Sequence, residues 1–197
     1  METTDIADSL RDSKELELDK KIAVYIAVLA VLLSICGVGG GNSTKDATRL
    51  NIQASDTWSF YQAKHVRETA YKVAAEGLQL RLSEPGLPDA VRKQIEDKIA
   101  AYRADIERIE SDPLKGEGKK ELAAKAKGFE KERDAALKQD PYFDFAQAFL
   151  QIAVVLASAS IVLKSRPLLI GSGFLAILGV LLMINGFTLA VDVPFLT

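Results

Sequence analysis

Trp58, Tyr61 and His65 recur at steps of three and four residues, which places them on one face of a helix. They include the only tryptophan and the only histidine of the chain. Asp56 and Lys64 flank that face, with Phe60 and Gln62 beside it. As a binding surface, Asp56, Trp58, Tyr61, Gln62, Lys64 and His65 would dock another protein, lipid headgroups or a small ligand. As a catalytic centre, the face would depend on His65 alone. The plain alternative is packing, with Trp58 as a helix–helix knob and His65 hydrogen-bonded at its edge.

Other chemistry is harder to assemble. One histidine and one cysteine cannot supply the usual zinc sets, so no metal is expected. No glycine loop cradles a phosphate and no dinucleotide fingerprint is present, so no cofactor is expected. Glu96, Asp97, Asp105 and Glu107 lie among bases at helical spacing and read as a solvated face. No residue is assigned a catalytic role, and the chain is read as a non-enzyme.

The elements that must hold the aromatic face are set by how charge is segregated. Residues 1–21 hold seven acids and four bases, and residues 42–142 hold 18 acids and 19 bases. After residue 142 only Asp144, Lys164, Arg166 and Asp192 are charged. Such segregation marks a membrane protein with one polar domain. The near-balance of residues 42–142 argues against nucleic acid as a partner.

Three uncharged runs are long enough to cross a hydrocarbon core of about 30 Å: Ile22–Gly41, Phe145–Leu163 and Leu168–Val191. The expected organisation is a cytoplasmic tail (1–21), a first span (22–41), an extramembrane domain (42–142) and a second span (143–163). A cytoplasmic turn (164–167), a third span (168–191) and an external tail (192–197) follow. Lys20 and Lys21 precede the first span, and Lys164 and Arg166 sit in the turn. Both clusters favour the cytoplasm, which would put residues 42–142 outside, in a periplasm. A cleaved signal is disfavoured because residues 1–21 are net acidic. One cysteine, Cys36, permits no internal disulfide.

The glycines of Gly37-Val-Gly-Gly-Gly41 predict a helix end with a flexible hinge, with Asn42, Ser43 or Thr44 capping a new helix; the alternative is that Gly37 and Gly41 let two helices approach closely. Beyond it, Val66, Ala70, Val73, Gly77 and Leu80 follow the spacing of a helix seam. Glu84-Pro-Gly-Leu-Pro88 predicts a turn. Val91, Ile95, Ile99, Tyr102, Ile106 and Ile109 predict the buried face of the next helix, which Ser111–Gly118 breaks. Leu122, Ala126, Phe129, Ala136 and Leu137 mark a third helix. Asp140-Pro141 reads as an N-cap and first helical residue opening the second span.

The expected fold is therefore all-α: three transmembrane helices, with a helical, coiled-coil-like extramembrane bundle inserted between the first and second. About 100 residues with so thin and alanine-rich a stripe make a poor stand-alone core, so sister subunits should complete it. Ser158, Ser160, Asn185 and Thr188 are expected to hydrogen-bond between spans. Asp144, Asn185 and Thr188 are also the residues that would face a pore if several subunits enclosed one.

The run Ile52-Gln-Ala-Ser-Asp-Thr-Trp-Ser-Phe-Tyr-Gln-Ala-Lys64, set between a first span and a closing pair, resembles bacterial membrane proteins grouped as domain of unknown function 4337. The match is most specific from Ala54 to Lys64, with Gln151-Ile-Ala153 as weaker support. Pro141 and the Pro113–Gly118 loop depart from the pattern. The resemblance implies a bacterial inner-membrane protein and supplies no activity. The resulting expectation is a homo-oligomeric inner-membrane protein, contacting lipid and another membrane or periplasmic protein, whose external domain scaffolds or docks. A channel-like protein is the alternative, and a membrane-bound enzyme the more distant one.

Overall fold

A computed structural model describes residues 2–194, with side chains from Glu15 onward. It contains four helices: α1 (Glu2–Leu82), α2 (Asp89–Glu110), α3 (Lys119–Leu163) and α4 (Arg166–Thr188). No strand occurs among the described residues. Stretches of α1, α3 and α4 are long and apolar enough to cross a membrane.

The breaks fall where proline and glycine forbid continuation. No proline precedes Pro85, so α1 runs unbroken to Leu82. Ser83 and Glu84 then close a last turn onto the carbonyls of Leu80 and Arg81, and Gly86 takes a φ of +86°. Between α2 and α3, the Glu121 carboxylate accepts from the Ser111 hydroxyl at 2.7 Å and the Asp112 amide at 3.1 Å. These contacts, with Ser111 first, hold the Glu121 carboxyl below its ordinary value.

The chain packs as two compact units, Met1–Ala47 with Asp134–Thr197, and Thr48–Arg133. The core of the first unit joins Leu29 and Cys36 of α1 to Phe143, Ala146, Leu150 and Ala153 of α3 and to Ala176 and Met183 of α4. Phe143 is 2% exposed. A Cβ added at Gly39 would stand 2.6 Å from its ring, and one at Gly40 or Gly186 would stand 3.1 Å from its side chain. Three glycines thus make the socket for one aromatic ring, which also meets Phe187 edge-on at 4.8 Å.

That socket explains why Gly37–Gly41 is not a hinge. The helix continues through it, and Ser43 and Thr44 cap nothing. Their hydroxyls donate back to the carbonyls of Gly39 and Gly40, at 3.2 and 3.1 Å. Both also reach α3, Ser43 to Gln139 at 3.2 Å and Thr44 to Asp140 at 2.8 Å. Nor does Asp140-Pro141 begin a helix. Pro141 lies inside α3, so the helix expected to end before it and the second span are one element. The flanking contacts of Gln139, Asp140 and buried Tyr142 hold the chain helical across the missing amide donor.

The polar groups of the first unit act differently from expectation. Ser158, Ser160 and Thr188 donate within their own helices, to Val154, Ala157 and Ile184. A further interhelical link runs from Tyr25 to Ser172 at 3.1 Å and from Ser172 to the Ala153 carbonyl at 2.7 Å, which ties α1, α4 and α3 together. Asn185 fixes the chain beyond α4: its amide donates to the Val191 carbonyl at 2.7 Å and its carbonyl accepts the Val191 amide at 2.9 Å. Asp144 is exposed. The expected external tail is described only as far as residue 194.

The second unit is a helical hairpin. Partners of α1 move down the chain of α2 and α3 as they move up α1: Tyr71 stacks on Tyr102 at 5.3 Å, Trp58 bonds Glu130, and Asn51 bonds Arg133. The falling register means α2 and then α3 run antiparallel to α1, each covering part of one side. The predicted face of α2 is the covered one, with Ile95, Ile99 and Ile109 buried. On α3, Leu122, Ala126 and Ala136 are buried, whereas Leu137 is 52% exposed.

Within the chain, the face covered on α1 lies half a turn of the helix from the predicted seam. Val66, Ala70, Val73, Gly77 and Leu80 are all exposed. The inward positions are Ala54, Thr57, Tyr61, Lys64, Glu68, Tyr71, Ala75, Leu78 and Leu82, also at alternating three- and four-residue steps. Lys64, Glu68 and Thr57 interrupt that face, and its apolar members are mostly alanine and tyrosine, so the stronger valine and leucine periodicity pointed to the other side.

Candidate functional site

The inward face of α1 in the second unit gathers most of the side chains with chemical potential. Trp58, Tyr61 and Lys64 are half-buried there, while Asp56, Gln62 and His65 are exposed. The rings of Trp58 and Tyr61 meet edge-on at 5.4 Å. The Trp58 indole donates to Glu130 Oε1 at 2.8 Å. Lys64 lies 5.2 Å over the Phe60 ring and 3.8 Å from Glu117.

Steps of three and four from Trp58 lead on to Glu68, and this buried carboxylate is the centre of the cluster. Its Oε1 pairs with Lys72 at 2.6 Å, one helical turn on. Its Oε2 is fully buried and faces Lys119 Nζ at 2.5 Å. That approach is poorly directed for a hydrogen bond, yet at such a distance the ammonium charge decides the energetics. His65 Nδ1 stands 3.7 Å from the same oxygen, beyond hydrogen-bond reach. Lys119, itself buried, pairs also with Glu110 at 2.8 Å and lies 5.9 Å from the Tyr61 ring centre. The lysine at the start of α3 therefore ties together α1, the end of α2 and the aromatic pair.

These contacts fix the charge states. Lys119 and then Lys72 hold the Glu68 carboxyl below its ordinary 4.5, against the opposing effect of burial. Glu110 and then Glu68 raise the Lys119 ammonium well above 10.5. At neutral pH Glu68 is an anion and Lys119 a cation, so neither is tuned toward the range that suits an acid–base catalyst. No group of three or more metal-ligating side chains occurs among the described residues. What this geometry does chemically is compensate charge: two carboxylates share two ammonium groups, and the burial of Glu68 and Lys119 between them ties three helices together.

Trp58 and Tyr61 were legible from sequence, and the ionic half of the cluster was not. The available signal was the periodic extension from Trp58 through Tyr61 and His65 to Glu68, with Lys72 four residues beyond. Lys119 carried no comparable signal, because it stands outside a turn far along the chain. Trp58→Phe keeps the ring but removes the bond to Glu130. We expect it to cost about 1.5 kcal/mol, as for a hydrogen bond to a charged group, read as a lowered thermal midpoint of the intact chain in detergent.

An all-helical chain with three helices long and apolar enough to cross a membrane, and a charge-compensated hairpin lying in sequence between the first two apolar stretches, is the class of protein defined here. The chain belongs to the family described as domain of unknown function 4337 (DUF4337), whose model matches residues 18–189. No curated protein matches the chain, and no solved structure does.

Proposed function

We propose that this is a non-enzymatic, multi-pass protein of a bacterial inner membrane whose extramembrane hairpin is an assembly and docking module. The observation that carries the reading is the contrast between the two sides of α1 in the second unit. The inward side is saturated by its own ion pairs and ring contacts, while Ile52, Val66, Val73 and Leu80 on the outward side are 55–73% exposed. A run of apolar side chains kept in water without a partner is the usual mark of an interaction surface. Asp56 and Gln62, exposed members of the aromatic segment, lie on or beside it.

The orientation that fits is a cytoplasmic N-terminus with the hairpin outside. Lys164, in the turn between α3 and α4, pairs with Asp19 at 2.7 Å and approaches Glu15 at 3.7 Å. The basic turn and the basic start of the first apolar run therefore belong to one end of the first unit, and the positive-inside rule assigns that end to the cytoplasm.

The test is the mass of the complex extracted into lipid nanodiscs, measured by native mass spectrometry. Assembly predicts two or more copies, or a fixed complement of another protein. A bare monomer at concentrations typical of the membrane overturns the reading.

A further inference from the structure

We infer that the outward face of α1 between Ile52 and Leu80 is the seam of a parallel, in-register coiled coil with a second copy of this chain. The inference rests on the assembly reading above and names the partner of that surface.

The face has a strict seven-residue period. Ile52, Ser59, Val66, Val73 and Leu80 recur every seven residues, and Asp56, Ala63, Ala70 and Gly77 interleave four residues after each of the first four. All nine are exposed. Lipid does not account for the stripe, because this stretch of α1 is rich in charge on its other sides. A period of three and a half residues fits another helix with the same period, since only supercoiling keeps such a stripe facing its partner. Small side chains at Ala63, Ala70 and Gly77 let two backbones come close, and larger ones between them fill the remaining space. Gly77 supports this independently. A helical glycine costs about 1 kcal/mol relative to alanine, yet nothing in this chain lies within 4 Å of where its Cβ would be. Intrachain packing gives no reason for it.

Charge on the flanks favours a parallel copy, and it outnumbers the one like-charge contact, Asp56 with its own counterpart at the start of the seam. In a parallel, in-register pair, each flanking residue meets the one five positions further along the partner. Glu76 of one copy then faces Arg81 of the other, twice by symmetry, and Gln62 faces Arg67. Among the described residues Glu76 and Arg81 make no ion pair within the chain. An antiparallel pairing that overlaps the whole stripe would instead set Arg67 against Arg67 of the other copy and leave Glu76 away from Arg81. Two copies inserted in one membrane with the same topology also present α1 in the same direction. Carried back along the sequence, the same register is interrupted at Arg49, Lys45 and Asn42 and then falls on Val38, Ile35, Val31, Val28 and Val24, exposed residues of the first unit.

The test uses single cysteines in the full chain, in lipid vesicles, with Cys36→Ala removing the native thiol. A disulfide needs Cβ atoms within about 4.5 Å, so Val73→Cys and Leu80→Cys should oxidise to linked dimers about tenfold more than Ala101→Cys on exposed α2. Ala70→Glu should reduce the native-mass complex to smaller species with helicity unchanged, because the site is exposed within one chain. Equal linking at Ala101, or none at Val73 and Leu80, overturns the seam. If the mass still shows an oligomer in that case, the assembly reading survives with a different interface. A bare monomer by mass removes both.

Discussion

Replacing Glu68 with alanine should destabilise the helical hairpin of the second unit by about 3 kcal/mol, the low end of the cost of breaking a buried ion pair by removing one partner. The substitution strips Lys119 of its closest carboxylate, leaving a buried ammonium with Glu110 alone. Lys72 is more than half exposed and can return to water, which keeps the expectation at the low end. Glu68→Gln should cost nearly as much, because it keeps the shape and removes the charge. Loss of helical circular dichroism on heating the full chain in detergent provides the measurement. A midpoint within a degree of the native one would show that the cluster is incidental.

The pH dependence follows from the same contacts. Glu68 has its folded pKa depressed below 4.5, so its stabilisation is complete above that value and is lost as pH falls through the lower, folded pKa. Lys119 has its folded pKa raised above 10.5, so its contribution is complete below 10.5 and is lost as pH rises from there through the folded value. Between those limits the pair should contribute a flat plateau of stability. Glu68→Gln should flatten the acid limb of the native profile.

The second large effect is expected at Phe143. In the membrane setting proposed for the first unit, no hydrophobic force separates helix contacts from lipid contacts, so tight packing would carry the association. Phe143 fills a socket of Gly39, Gly40 and Gly186 and touches Phe187. Phe143→Ala should cost about 3 kcal/mol. Gly39→Leu should cost about 2 kcal/mol from the opposite direction, because its first side-chain carbon already collides with the ring. The two sites share one volume, so Gly39→Ala should be less damaging in a Phe143→Leu background than alone, a coupling that a double-mutant cycle measures. Unfolding in a denaturing detergent series reads all three. Additive costs would mean that the ring and the glycines do not meet.

Much of the fold could be read along the chain. The apolar stretches of α1, α3 and α4 stand out because charges are excluded from them, and that requirement acts residue by residue. The breaks at residues 83–88 and 111–118 were equally plain, since proline and glycine act on the local backbone. The inward face of α2 was legible because its buried positions are isoleucines.

Continuity and facing were decided by tertiary contacts. Glycines at 37–41 and proline at 141 carry opposite local meanings from the ones the fold gives them. The glycines are small so that Phe143 fits, and the helix through Pro141 is held by contacts from Ser43, Thr44 and the chain beyond α4. On α1 beyond residue 50, hydrophobic periodicity marked Val66, Val73 and Leu80, but an apolar stripe does not state whose helix covers it. The intrachain partner of α1 is a charged junction, so its matching face carries Lys64 and Glu68. The sequence by itself determined which segments are helical, the breaks at residues 83–88 and 111–118, and which stretches are apolar enough for a membrane, because those properties depend on residues and their near neighbours. Only the tertiary structure decided that Glu68 and Lys119 meet and which side of α1 is left over, because an ion pair between distant helices leaves no periodic trace in either of them.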